Sequence, residues 1–171
     1  VFRSMMHPSG LINRTLTAIG LGALTQNWLT NPKIAIFSCA FVEIWKWTGY
    51  TMVILLAGLQ AIDTTYYEAA ELDGASCWQQ FRSVTLPLIM PAFNNAVVIS
   101  IVGGLKVFDI VQALTNGGPG NATSVFGTLI YSSFSSGSYG RGCAASMILT
   151  FFVLLIALPT NRFLSGKEVE V

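Results

Sequence analysis

Four charged residues stand inside stretches that are otherwise apolar: Glu43, Lys46, Lys106 and Asp109. Each carboxylate has a lysine three residues away, a spacing that puts both side chains on one helical face. Isolated charges are expensive at membrane depth, so pairing within Glu43–Lys46 and Lys106–Asp109, facing protein or water, is the expected arrangement. Two roles are open to such pairs. Carboxylates beside a transport path can carry protons or ions, whereas salt-bridged carboxylates hold helices together. Asn94 and Asn95 share the apolar run of Lys106 and Asp109 and join them as candidates for lining a translocation path.

Other chemistry finds little material. His7 is the only histidine and lies in a polar stretch, which leaves no histidine-based catalytic or metal site. Cys39, Cys77 and Cys143 lack metal-ligand spacing and read as free thiols. No Gly-x-x-x-x-Gly-Lys-Ser/Thr run is present, so the chain has no such loop for nucleotide. Gly117-Gly118-Pro119-Gly120 reads as a turn. The triplets Asn13-Arg14-Thr15 and Asn121-Ala122-Thr123 match the glycosylation pattern, which arises often by chance.

The longest polar interruption runs from Asp63 to Pro87. Thr65 and Glu68 have capping-box spacing, which predicts a helix from Tyr66 through Leu72. Gly74 supplies the backbone freedom for a sharp turn. Ser76 and Gln79 repeat the capping spacing, predicting a second helix from Cys77 that ends before Pro87. The product is a helix–Gly–helix hairpin too polar to span a bilayer.

Glu68-Ala69-Ala70, Gly74, Val84 and Leu86-Pro87, at these spacings, resemble the EAA motif of permease subunits of ABC importers. The family usually has Ile at the position of Val84. Trp45-Lys46-Trp47-Thr48-Gly49-Tyr50 and Leu56-Ala57-Gly58-Leu59-Gln60 are similar to the segment that leads into that motif. Phe108-Asp109 followed by Leu114-Thr115-Asn116-Gly117-Gly118-Pro119 resembles the carbohydrate-type branch, which includes maltose, glycerol-phosphate and lactose-like systems. The resemblance implies a coupling hairpin over residues 63–87, with Glu68, Ala69, Ala70, Asp73, Gly74, Leu86 and Pro87 contacting an ATPase subunit. It implies further partners: a second homologous permease subunit, two ABC ATPase subunits in all and an extracytoplasmic solute-binding protein. It implies no cofactor on this chain, with ATP and magnesium on the ATPase subunits. Localisation would be a bacterial-type inner membrane, with the hairpin and the C-terminal tail cytoplasmic.

Composition agrees with a membrane chain. Of 171 residues, 53% are hydrophobic and 10% charged, against about 25% charged in ordinary soluble domains. The net charge of +1 gives no argument for a nucleic-acid partner. Leu11, Ile12, Leu16 and Ile19 fall at helical spacing, with Asn13, Arg14 and Thr17 on another face. That pattern predicts a short amphipathic helix, lying at the membrane interface or packed on a neighbouring segment. Spans are expected over about 34–59, 91–114 and 143–163, each long enough for the ~20 residues a bilayer requires. Residues 125–134 read as a loop from composition and as a helix from the resemblance. The expected fold is therefore all-α: a single transmembrane permease domain over 1–171, N-terminally truncated, with about three spanning helices and the hairpin.

Charge counting does not orient the chain. Arg82, Arg162 and Lys167 fall on the hairpin side, and Arg3, Arg14, Lys33 and Arg141 on the other. Positive residues mark the cytoplasmic side, and the count leans faintly away from the hairpin. The cytoplasmic placement thus rests on the resemblance. An ion-coupled secondary transporter fragment, with the two charge pairs as its machinery, is the alternative of another class. A membrane-embedded enzyme is disfavoured because no catalytic set can be assembled.

Overall fold

Backbone polar groups cannot be left open to lipid, so a chain this apolar must satisfy them within helices. The computed structural model describes residues 1–166, and its regular elements are helical. Two short helices, α1 (Phe2–Met5) and α2 (Leu11–Ala18), precede the long α3 (Ala35–Gln60). The hairpin follows as α4 (Thr65–Leu72) and α5 (Cys77–Gln80). A π-helical turn, Phe81–Thr85, joins α5 to α6 (Leu86–Leu105). Then come α7 (Asp109–Leu114), α8 (Phe126–Ser135) and α9 (Tyr139–Ser165). Lys167 and the rest of the C-terminal tail lie outside the described residues.

Among the described residues, three helical stretches are long and apolar enough to cross a membrane: Ala35–Gln60, Cys77–Leu105 and Tyr139–Ser165. Their large apolar side chains point mostly outward, as Phe37, Phe41 and Ile44 do on α3 and Met147, Phe151 and Leu158 on α9. In water such exposure would be costly; in a bilayer it is the required face.

The second stretch departs from the sequence expectation at both ends. The helix begun at Cys77 does not stop before Pro87, and Pro91 lies inside α6 rather than at its start. In the π turn the Leu86 N–H donates to the Phe81 carbonyl, five residues back. This wider turn moves the preceding carbonyls away from the Pro87 ring, which would clash with them in a regular α-helix. At the far end α6 stops at Leu105, and residues 106–108 are non-helical. Residues 106–114 therefore do not continue the span: α7 is a separate six-residue helix. The third stretch starts at Tyr139, four residues before the expected Cys143, and Pro159 is accommodated within it. Residues 126–135 are helical, as the resemblance implied and composition did not.

The chain forms two compact units. One comprises Val1–Lys46 with Lys106–Thr150; the other comprises Trp47–Leu105 and the part from Phe151 on. The core of the first unit gathers Met6, Cys39, Val42, Val111 and Leu114, with Ile12, Trp28 and Leu29 packed against it. The amphipathic expectation for α2 holds for Ile12 and Leu16, half-buried, and for Arg14 and Thr17, exposed, but not for Asn13. Leu11 and Ile19 are exposed, while Asn13 is buried. Its amide donates to the carbonyls of Pro8 and Gln26, both at 3.0 Å, and its Oδ1 accepts the Trp28 indole N–H at 2.8 Å. A polar residue can thus be the buried hub when surrounding loop carbonyls need donors.

A second hub closes the glycine-rich loop. Thr123, fully buried, donates to the Gly118 carbonyl and lies 2.7 Å from the Thr115 hydroxyl. In the second unit, the Asn94 amide donates to the Leu164 carbonyl at 3.0 Å, tying α6 to α9. A Cβ on Gly103 would stand 2.8 Å from the Trp47 ring, so the glycine admits the indole against α6.

Asn13→Ala removes a donor to two carbonyls and an acceptor of the Trp28 N–H. A loss of roughly 2 kcal/mol is expected, read as a lowered unfolding midpoint of the purified protein in detergent; an unchanged midpoint would contradict the hub.

Candidate functional site

The hairpin is built from backbone hydrogen bonds before any side chain acts. α4 begins at Thr65, and its capping differs from the predicted box. Asp63 accepts the Thr65 backbone N–H at 2.9 Å through its carboxylate Oδ1. That bond, to the backbone first and the Thr65 side chain second, holds the Asp63 carboxyl below the usual carboxylate range. A carboxylate is the stronger acceptor and stands on the helix N-terminal side, where negative charge is favoured. Glu68 is consequently released from capping. It is exposed, and its carboxylate has no hydrogen-bond or ion-pair partner among the described residues.

α4 ends in a Schellman turn. The Ala75 N–H donates to the Ala70 carbonyl and the Gly74 N–H to the Glu71 carbonyl, both at 2.9 Å. Gly74 sits at φ +75°, in the left-handed region. A Cβ there would meet nothing within 4 Å, so the penalty for another residue is backbone strain, about 1–2 kcal/mol. The predicted cap of the second arm is present: the Ser76 N–H donates to the Gln79 side-chain carbonyl at 2.8 Å. The Tyr67 and Thr85 hydroxyls meet at 2.9 Å and fasten the arms together. Ala69, Asp73 and Leu86 are exposed, while Ala70 and Pro87 are half-buried.

Ionic pairing differs from the sequence expectation. Lys46 pairs with Glu43 at 3.0 Å, as predicted, and also with Asp109 at 3.1 Å. Asp109 therefore belongs to a Glu43–Lys46–Asp109 triad and not to a pair with Lys106. The cause is the helix break at residues 106–108, which removes the i,i+3 register that the pairing with Lys106 required. Lys106 is exposed, with no ion pair among the described residues.

The four path candidates divide between the two units. Asn94 and Asn95 belong to the second unit, Lys106 and Asp109 to the first. Asn94 is buried and tied to α9, whereas Asn95 is exposed. Sequence reasoning missed Thr123 and Asn13. The only signal for Thr123 was its place in a triplet set aside as chance.

The family described as the binding-protein-dependent transport system inner membrane component matches residues 4–165. The chain belongs to this family. The resemblance read from the Glu68–Pro87 spacing holds at that level, and the helical architecture is that of such a membrane component. The trehalose/maltose transport system permease protein MalF of Thermococcus litoralis is 43% identical over 158 residues, covering 90% of this chain and 52% of the relative. The lactose transport system permease protein LacF of Rhizobium radiobacter is 34% identical over 170 residues, covering 98% and 57%. Among solved structures, a bacterial ABC transporter involved in the import of the acidic polysaccharide alginate matches with a TM-score of 0.80 at 30% identity. That match covers 96% of this chain and 58% of the other. This inner membrane component thus spans somewhat over half the length of the relatives it matches. Those relatives are transport permeases, named as such, and none of this favours the ion-coupled alternative.

Lys46→Met and Asp109→Asn should couple in a double-mutant cycle. With Asp109 68% exposed, the coupling expected is about 0.2–1 kcal/mol. Lys106→Met and Asp109→Asn should instead add. Unfolding midpoints of purified variants report both, and additivity for Lys46 with Asp109 would contradict the triad.

Proposed function

We propose that this chain is part of the permease subunit of an ATP-driven importer for a sugar or related polyol. In this reading the spanning helices contribute to the translocation path, and the hairpin over residues 63–87 faces the cytoplasm and docks on an ATPase subunit. Glu68 supplies a charged contact, Ala69 and Ala70 a small surface for close approach, and Gly74 the angle of the turn. Asp73, Leu86 and Pro87 complete the contact. The partners are a second homologous permease subunit, two ATPase subunits that hold ATP and magnesium, and an extracytoplasmic solute-binding protein. The chain itself holds no cofactor. Asn94, Asn95, Lys106 and Asp109 remain the candidates for the path, with Asp109 paired to Lys46.

One observation carries the reading: the motif spacing coincides with an exposed hairpin whose turn and arms are fixed by their own hydrogen bonds. Coupling requires such a part. ATP binding in a partner can shift only states that the moving element distinguishes, and a hairpin that bent freely would transmit nothing. The relatives named for trehalose, maltose and lactose transport support the substrate class.

Co-purification of the intact protein with its ATPase subunit tests the assignment. Wild type should retain the ATPase, while Glu68→Lys and Gly74→Asp should lose it and remain in the membrane. Equal retention in all three would sink the docking role of the hairpin.

A further inference from the structure

We infer that the hairpin grips the ATPase subunit through two apolar anchors: Leu72, set among carboxylates on the first arm, and the Trp78–Phe81 pair on the second. This rests on the coupling reading above and deepens it by naming the anchors and the chemistry of the surface that receives them. Leu72, the last residue of α4, is 90% exposed, more than any large apolar side chain among the described residues except the terminal Val1. Trp78 is 67% exposed and stacks on Phe81, centroids 5.6 Å apart and rings 27° from parallel. The two anchors flank the Gly74 turn. Neither belongs to the motif spacing from which the coupling residues were read.

Lipid and protein are the two surfaces that could cover such side chains, and the neighbouring charges separate them. Residues 63–87 carry four carboxylates, Asp63, Glu68, Glu71 and Asp73, against the single guanidinium of Arg82, a net charge of −3. Leu72 lies directly between Glu71 and Asp73. Segments that lie in anionic lipid have the opposite pattern, with basic residues around the apolar face. The complementary surface is therefore a protein groove with an apolar floor and a rim of lysine and arginine. Interfaces concentrate their energy in this way, in aromatic and aliphatic anchors enclosed by a polar rim. The Schellman turn and the Tyr67–Thr85 contact pre-set the arms, which lowers the ordering cost of docking.

Cys77, exposed and adjacent to Trp78, is a built-in reporter. The experiment uses the intact protein in nanodiscs with Cys143→Ser, a membrane-impermeant maleimide and the purified ATPase subunit. Cys77 should react readily alone and at least about tenfold more slowly with the ATPase bound. Leu72→Ser and Trp78→Ser should each weaken ATPase binding at least about tenfold, the range expected of an anchor, while Ser83→Ala should not. Added salt should slow association of the wild type, as expected for acidic and basic rims. A Cys77 that is unreactive before the ATPase is added would mean that lipid covers the site, and would overturn the inference. So would wild-type binding that both serine variants reproduce, and in that case the coupling reading would stand. Failure of the wild type to bind the ATPase would remove both. The labelling arm uses native anchors, so it decides even where a serine variant fails to fold.

Discussion

The bilayer's refusal to solvate backbone polar groups is the constraint on which everything else here depends. It forces the chain into long helices and leaves their apolar side chains outside. It also favours polar invention in the places where a helix is interrupted, with Glu43–Lys46 inside α3 and Asn94 inside α6 as exceptions. Three such places matter: the hairpin between α3 and α6, the break at residues 106–108, and the glycine-rich loop closed by Thr123. Each is fixed in its own way. The hairpin uses a Schellman turn, the break hands Asp109 to Lys46, and the loop folds onto buried threonine hydroxyls.

The proposed coupling role asks the hairpin, a soluble-style motif, to act mechanically. Its arms are too short to be stable as isolated helices. The Ala75 and Gly74 bonds, the Asp63 cap and the Tyr67–Thr85 contact make them one piece. The π turn then runs that piece without a break into α6. A displacement of the hairpin has a continuous helical path into a membrane span, where a stop at Pro87 would have left a flexible joint. The departure from the sequence expectation therefore matters to the proposed coupling role.

Legibility followed the range of the interactions. Capping at Ser76, the Gly74 turn and the Glu43–Lys46 pair are local, and residue spacing was enough to find them. Helices from Ala35 and around Met147 were visible from hydropathy alone. What escaped was decided by distant partners. Asn13 looked like the solvent face of an amphipathic helix because its acceptors and donor, Pro8, Gln26 and Trp28, come from loops. Lys106 seemed the partner of Asp109 because one helix was assumed to run through both, and Lys46, 63 residues away, won instead. The path through Pro87 escaped because the rule that proline ends helices holds for regular turns and not for a widened one. The family itself came from motif resemblance, and no argument from composition would have reached it.

In the proposed reading, transport through this chain is driven by ATP hydrolysed on a partner. The most direct measurement is uptake of labelled maltose or a related sugar into proteoliposomes holding the intact importer, with its solute-binding protein supplied. Uptake that requires ATP with magnesium on the hairpin side, and that survives collapse of proton and sodium gradients, is the predicted result. Uptake that proceeds without ATP and stops when the gradients collapse would contradict the account.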